Sequence, residues 1–214
     1  MSVPEKKLHY LSVEDYLKNE ETAKVRHEFV DGQIFAMVGT NLRHNIIASN
    51  LQAIIQTYLR GSRCRAFITD VRLRVEATNS FYYPDVFVSC CPVDTTSAFV
   101  STPILIIEVS SPSTFVVDKR EKLLAYSKIE SLIEYAIVHQ DKKFIELHRK
   151  SIEAQDAHWQ TIQTIAQGES AVFEAFPMEV GQLTIPIDKI YEGVDWGQPS
   201  NQWKVREAFE EISW

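Results

Sequence analysis

The sequence predicts an α/β domain in which a mixed central β-sheet is flanked by helices. Helical and strand-like patterns are interleaved along the 214 residues, which is typical of this class. Residues 103–110 are nearly all apolar and rich in β-branched side chains, as in a strand that is buried on both faces. The chain has only 7 glycines and 8 prolines, which argues against a low-complexity or disordered protein.

The N-terminal elements have clear local signals. Ser12 is a suitable N-cap for a short helix that follows it. The pair Asp31-Gly32 separates two apolar runs and predicts a β-hairpin. Apolar residues at spacings of three and four predict an amphipathic helix over residues 42–60, which Gly61 ends.

The rest of the chain is dominated by strand patterns. We expect strands, in chain order, at residues 64–75, 82–89, 103–110, 133–138, 143–149 and 158–165. Residues 119–130 predict a helix, and residues 186–191 a short helical turn. We expect one domain over residues 1–192, followed at 193–214 by an acidic tail that contains three tryptophans.

The charge balance limits the possible partners. Acidic residues outnumber basic ones by 29 to 22, which gives a net charge of −7. Such a chain does not coat nucleic acid or membranes through general positive charge, so binding to a phosphate polymer needs a local patch or a metal. Residues 60–74 hold five arginines against Asp70, and form either a phosphate-facing patch or a solvated strand face.

Compartment signals are also informative. The N-terminus has no apolar run of the kind found in signal peptides, and no segment approaches the ~18 apolar residues of a membrane-spanning helix. Cys64, Cys90 and Cys91 suggest neither a disulfide framework nor a zinc motif. We therefore expect a cytoplasmic protein with reduced cysteines.

Two carboxylates stand in otherwise apolar strand patterns. Asp85 follows Pro84, and Glu108 ends the apolar run of residues 103–107. Burying a carboxylate is costly unless it is paired, hydrogen-bonded or bound to metal. On neighbouring strands the two would form a hard-oxygen site suited to Mg²⁺ or Mn²⁺, and the alternative is a structural pair held by backbone amides.

The helix predicted after Glu108 supplies a cation. Asp118 and Glu121 have the spacing of a capping box. Lys122 and Tyr126 are four residues apart and share a helix face, so Lys122 could point back toward the strand ends. There its ammonium would position a water, neutralise a phosphate or balance charge. The alternative is a surface lysine paired with Asp118.

A longer pattern resembles the Uma2 family of restriction-endonuclease-like proteins, a cyanobacterial type formerly called DUF820. The matching residues are Glu28, Asp31, Gly32, His44, Tyr83, Pro84, Asp85, Val86, the Glu-Val-x-Ser-Pro-Ser-Thr segment from Glu108 to Thr114, Asp118, Lys122 and Tyr126. The resemblance covers about residues 8–192. It implies a restriction-endonuclease-like core of the proline-aspartate…aspartate/glutamate-x-lysine nuclease superfamily.

The resemblance implies a Mg²⁺-dependent endonuclease (with Mn²⁺ as the other candidate metal) that hydrolyses DNA phosphodiester bonds. Glu28, Asp85 and Glu108 would hold the metal, and Lys122 would orient the attacking water or stabilise the phosphate. One departure stands out, because the position two after Glu108 holds Ser110 where the wider superfamily has its lysine. The resemblance implies that Lys122 takes that place.

Several alternatives stay open. His44, Asp70 and Tyr126 are candidates for supporting roles, but each has an ordinary structural role as its alternative, as does Glu28 at the entry to the hairpin. The chain could also be a non-catalytic module that binds nucleic acid or a protein, which its acidity and Ser110 favour. A third interpretation is a hydrolase of small phosphate compounds. A homodimer is a reasonable expectation for such a fold.

Overall fold

A computed structural model describes residues 10–37, 39–111, 118–151 and 159–196. The helical elements are α1 (Val13–Glu20), α2 (Leu42–Tyr58), a 3₁₀ turn (Glu76–Thr78), a π-helical turn (Asp118–Lys122) that continues as α3 (Leu123–Tyr126), and α4 (Ile187–Ile190). The strands are β1 (His27–Val30), β2 (Gln33–Ala36), β3 (Arg65–Ile68), β4 (Arg72–Val75), β5 (Ser80–Tyr82), β6 (Val86–Ser89), β7 (Phe99–Val100), β8 (Leu105–Ser110), β9 (Glu134–His139), β10 (Phe144–Lys150), β11 (Trp159–Ala166), β12 (Ser170–Phe173) and β13 (Leu183–Pro186).

The strands form three sheets with both parallel and antiparallel neighbours, which confirms the α/β class with mixed sheets. The five-stranded sheet has the order β2-β1-β5-β4-β7, and the six-stranded sheet has the order β11-β10-β9-β8-β6-β3. Strands β12 and β13 pair by themselves. The strand expected over residues 64–75 is two strands, because a turn closed by the Val71 N–H and the Ile68 carbonyl at 2.9 Å divides it between the two larger sheets.

The core lies on both faces of the six-stranded sheet. All six residues of β8 are buried, which confirms the strand expected there. One face packs against α2 through Ile47, Leu51 and Ile55. The other face packs against α3 through Tyr126 and the residues around it. Glu108 and Ser110, the polar residues of β8, are therefore buried in a strand that has apolar layers on both faces.

The hairpin at Asp31-Gly32 is confirmed. Both residues have positive φ, 44° and 87°, as the tight turn requires. The backbone N–H of Leu11 donates to the Gly32 carbonyl at 2.9 Å, so the chain at Leu11 lies against this turn.

Other predicted boundaries change. The helix expected over residues 119–130 ends at Tyr126, and the chain continues through turns in which the N–H of Ile129 donates to the Tyr126 carbonyl at 2.9 Å. Helix α2 ends at Tyr58, before Gly61. The sequence patterns missed β7, β12 and β13, and they included only Tyr82 of β5. The side chain of Asp118, whose capping role was predicted, and residues 112–117 lie outside the described residues, as do Trp203 and Trp214 of the predicted tail.

The expectation of reduced cysteines is wrong for one pair. Cys64 and Cys90 form a disulfide, although 26 positions separate them in the sequence. Arg65 pairs with Ser89 across β3 and β6, so antiparallel register puts the two flanking cysteines opposite each other. Cys91 is free and exposed. Within the described ranges, no helix has the length and apolar character needed to cross a membrane.

Candidate active site

A cleft of about 500 Å³ opens between the β1–β2 hairpin, the start of α2 and the strands β6 and β8. Its lining includes the four residues predicted as catalytic, which are Glu28, Asp85, Glu108 and Lys122. The structure therefore brings together residues that are up to 94 positions apart in the sequence, from Glu28 to Lys122.

Adjacent antiparallel strands place the two central carboxylates. Val86 on β6 pairs with Ile107 on β8, so Asp85 and Glu108 lie opposite each other. The Val109 N–H donates to Asp85 Oδ2 at 2.7 Å, and the Asp85 N–H approaches Glu108 Oε2 at 3.4 Å. Both residues are buried, with exposed fractions of 9% and 3%. The backbone amides hold the carboxylates in place, as the structural alternative expected, and both also face the cleft.

Lys122 lies between two carboxylates. Its Nζ is 3.2 Å from Glu28 Oε1 and 3.1 Å from Glu108 Oε1. The hydroxyl of Tyr126 donates to the same Glu108 oxygen at 2.8 Å. Burial, and then the charge of Glu108, raises the pKa of Tyr126 well above its ordinary value, so this hydroxyl keeps its proton and acts as a donor.

The predicted supporting residues have different positions. His44 lines the cleft, with Nε2 at 3.2 Å from Asp85 Oδ2. Its backbone N–H donates to the N-cap Asn41 at 2.9 Å, which fixes the first turn of α2 against the cleft. Asp70 is not among the described residues that line the cleft, and forms an exposed ion pair with Arg26.

Three of the five arginines in residues 60–74 have contacts within the fold. Arg63 pairs with Glu179 at 3.4 Å, and Arg65 donates to the Ser62 and Cys64 carbonyls. The guanidinium of Arg74 lies 4.5 Å from the centre of the Phe81 ring, and burial lowers its pKa. These contacts favour the solvated or packed strand faces over a single phosphate-binding patch.

The donor set at the cleft fits a hard divalent cation. Both contacts of the Asp85 carboxylate with described residues use Oδ2, which leaves Oδ1 without a donor among them. Across the described ranges, no three or more His, Cys, Asp or Glu side chains form a complete metal-binding group. Mg²⁺ is commonly held by one or two carboxylates together with water and substrate phosphate. Asp85 and Glu108 suit such a site, in which water and substrate supply the other ligands. Glu28 forms an ion pair with Lys122 beside them.

A second buried polar cluster was missed by the sequence analysis. Ile137 on β9 pairs with both Glu108 on β8 and Glu146 on β10, so the two glutamates share one face of the sheet. Lys119 Nζ lies 2.7 Å from Glu146 Oε2, and Lys122 reaches Glu108 from the same helical turn. Two ion pairs therefore hold the turn Asp118–Lys122 against the sheet. The pair with Glu146 could not be predicted without the strand register.

The fold and the cleft together define a restriction-endonuclease-like protein. A crystal structure from Anabaena variabilis, described as "a putative nuclease belonging to DUF820", has the same fold, with a TM-score of 0.64 over 85% of this chain and 97% of that one, at 17% identity. Residues 13–186 match the Uma2 family, described as "Putative restriction endonuclease". The chain belongs to the Uma2 family.

Similar proteins occur in the cyanobacterium Synechocystis sp. The protein slr1290 is 31% identical over 185 residues, which are 86% of this chain and 93% of that protein. The protein sll1609 is 31% identical over 173 residues, or 79% of this chain and 95% of that protein. Both alignments span most of the domain described above.

Proposed function

We propose that this chain is a Mg²⁺-dependent endonuclease that hydrolyses DNA phosphodiester bonds at Glu28, Asp85, Glu108 and Lys122. The convergence of Asp85 and Glu108 with the Lys122 ammonium, which lies 3.1 Å from Glu108, is the observation that carries this proposal. Membership of a family described as a restriction endonuclease supports the nuclease class.

The residues would divide the chemistry between them. Asp85 and Glu108 would hold Mg²⁺ or Mn²⁺, and Glu28 is the third ligand that we propose, either directly or through water. When bound, the metal would lower the pKa of a coordinated water and neutralise charge on the phosphate. Lys122 would orient the attacking water or stabilise the negative charge that develops on the phosphate.

Electrostatics explains why a metal would be needed. Glu28, Asp85 and Glu108 oppose one lysine, Lys122, among the described residues of the cleft lining. This excess of negative charge would repel a phosphate, which is itself an anion. A divalent cation reverses the balance, and so makes the approach of DNA dependent on metal.

Cleavage of supercoiled plasmid and oligonucleotide DNA with MgCl₂, MnCl₂ or EDTA tests the proposal. We expect cleavage with metal and none with EDTA. Asp85→Asn and Glu108→Gln, which keep the side-chain shape, should reduce cleavage to background, and Lys122→Met should reduce it by about 10²–10³-fold. Asp70→Asn is the matched control, because Asp70 is an exposed acid paired with Arg26, and it should leave the rate unchanged.

Three results would contradict the endonuclease. Absence of both cleavage and Mn²⁺ binding by calorimetry would exclude a metal-dependent enzyme. DNA binding without cleavage would support the non-catalytic module. Hydrolysis of nucleotides but not of polymers would support a hydrolase of small phosphate compounds.

A further inference from the structure

A second cavity of about 810 Å³ lies beside the cleft. It lies between the β1–β2 hairpin and α3, and it shares Glu28, Phe35 and Lys122 with the cleft lining. We call this cavity the side groove. Because the two cavities share these three residues, a chain of nucleotides that leaves the cleft past them would reach the side groove.

The side groove has exposed apolar walls from two elements. Phe35 on the hairpin is 51% exposed, and Leu124 on α3 is 68% exposed. Val30, Tyr82 and Ala125 also line it. Exposed apolar side chains on two sides of one groove favour a ligand with a flat apolar face.

The charges of the side groove are balanced. Glu28 and Glu121 line it together with Lys122 and Lys128. A surface that follows a duplex backbone instead uses an excess of lysine and arginine. A neutral, apolar groove suits a base. Lys122 lies at the cleft and Lys128 follows six positions later in the chain, so the phosphates that flank the base would lie near these two ammonium groups.

We propose that the side groove binds an unpaired base next to the scissile phosphate, so that the substrate of this site is DNA with at least one unstacked nucleotide there. The inference rests on the proposed function, since it places the scissile phosphate in the cleft. Base faces are hidden by stacking inside a duplex, and they are accessible in single strands, gaps and flipped nucleotides.

Strand β2 provides a matched control for the key residue. Ile34 and Phe35 are neighbours on β2, and each is 51% exposed. Successive side chains of a strand point to opposite faces. Of these two, Phe35 lines the cleft and the side groove, and Ile34 lines neither.

Fluorescence anisotropy of the full chain with labelled DNA tests the inference. The probes are a single strand, a duplex with a one-nucleotide gap and a fully paired duplex, all with phosphorothioate linkages that slow hydrolysis, in MnCl₂. We expect at least tenfold tighter binding of the two unpaired probes. Phe35→Ala should weaken that binding about tenfold and weaken duplex binding much less, and Ile34→Ala should change neither.

The outcomes separate the alternatives. Tight binding of the single strand and the gapped duplex alike would support any unstacked base, and tight binding of the gapped duplex alone would support a base displaced from a duplex. Equal affinity of the wild type for paired and unpaired probes would overturn the inference. So would an equal loss of affinity for the unpaired probes in Phe35→Ala and Ile34→Ala. So would a dimer that Phe35→Ala converts to monomer in sedimentation, because the groove would then be a subunit interface.

Two further measurements keep the test decisive. If Phe35→Ala does not fold, Leu124→Ala removes the opposite wall and should produce the same selective loss. If the wild type discriminates between the probes but does not cleave unmodified DNA of the same three forms in MgCl₂ or MnCl₂, the endonuclease proposal fails and binding of an unpaired base in the side groove stands. Duplex cleavage without discrimination between the probes would instead overturn the side groove and support the endonuclease.

Discussion

Tyr126 fixes the orientation of Glu108 through a hydrogen bond. Its hydroxyl donates to Glu108 Oε1 at 2.8 Å, beside the Lys122 ammonium. Residues that orient a metal-binding carboxylate commonly matter 10–100-fold for activity. Under the proposed function, Tyr126 is therefore a positioning residue for Glu108.

Tyr126→Phe should lower the free energy of unfolding by about 1–3 kcal/mol, because a buried bond to a carboxylate is lost. DNA cleavage should fall about tenfold. Urea unfolding and initial cleavage rates measure the two effects. Tyr58→Phe is the control. The Tyr58 hydroxyl donates to the Val180 carbonyl at 2.7 Å, and neither residue lines the cleft. Equal cleavage losses in both variants would contradict a positioning role.

His148 is a buried histidine. Its burial lowers its pKa below the ordinary value of 6.5. It faces Glu146 at 3.9 Å, Thr161 at 3.0 Å through the other ring nitrogen, and the charge of Lys119. His139, whose pKa burial also lowers, faces Glu146 at 3.9 Å too. Both rings therefore favour the neutral form in the folded protein.

A lowered histidine pKa makes the protein less stable in acid. Below about pH 6.5 these histidines bind protons in the unfolded chain but stay neutral in the folded protein. The stability that is present at pH 7.5 is therefore lost as the pH falls toward the pKa of the folded state. Each such proton contributes up to ~1.4 kcal/mol per pH unit. Urea unfolding at pH 7.5 and 5.5 should show this loss, and His148→Phe, which keeps a ring against Tyr135, should reduce it. If His148→Phe had the same pH dependence of stability as the wild type, His148 would not be a source of the loss in acid.

Single residues differ in how visible they are in the sequence. Asp85 and Glu108 could be predicted because a carboxylate in an apolar strand is conspicuous. Glu146 alternates with apolar neighbours like any half-buried strand residue, and its burial follows only from register across three strands. Phe35 resembles an ordinary hairpin residue until the side groove is seen.

At the scale of elements, the β1–β2 hairpin carries both Glu28 and Phe35. Its turn depends on Gly32, where φ is +87° and an added Cβ would lie 2.5 Å from Tyr10 Cδ1. Positive φ costs a non-glycine residue about 1–2 kcal/mol. A substitution at Gly32 therefore combines backbone strain with a steric conflict.

Gly32→Ala should destabilise the protein by more than the ~1–2 kcal/mol of positive φ alone, because Tyr10 must also move. Thermal or urea unfolding measures this cost. Gly168→Ala is the matched control, since Gly168 has the same φ of +87° and nothing within 4 Å of an added Cβ. The contact with Tyr10 would be irrelevant if both variants lost the same stability.

Elements with strong local signals were predictable, and those made by pairing were not. Helix α1, the hairpin and α2 follow from capping, turn and periodic patterns within a few residues. Strand β7 has two residues and exists because it pairs with β4, and β12 and β13 pair with each other. Such strands depend on pairing with another strand, which the local pattern of a short segment does not encode.

The whole molecule carries a covalent cross-link between distant segments. The Cys64–Cys90 disulfide closes a loop with a sequence separation of 26. In chain-entropy terms, a loop of this size stabilises the folded state by about 3 kcal/mol. A reductant should therefore lower the free energy of unfolding by roughly that amount, as measured in urea.

Counting free thiols gives the check on this prediction. Protein purified without reductant should show one reactive thiol, that of Cys91, and Cys91→Ser should show none and keep the same stability. Three reactive thiols in the untreated chain would show that the cross-link does not form. That result would restore the reduced cysteines expected from the sequence.

The cleft draws its charges from both larger sheets. Glu28 belongs to the five-stranded sheet, Glu108 to the six-stranded sheet, and Asp85 lies on the short crossing between β5 and β6. Lys122 joins Glu28 and Glu108 through its two ion pairs. A chain whose sheets have not yet docked therefore lacks the assembled set of charges. If the cleft cuts DNA, the newly made or partly unfolded chain does not, and cleavage appears only with the finished tertiary structure.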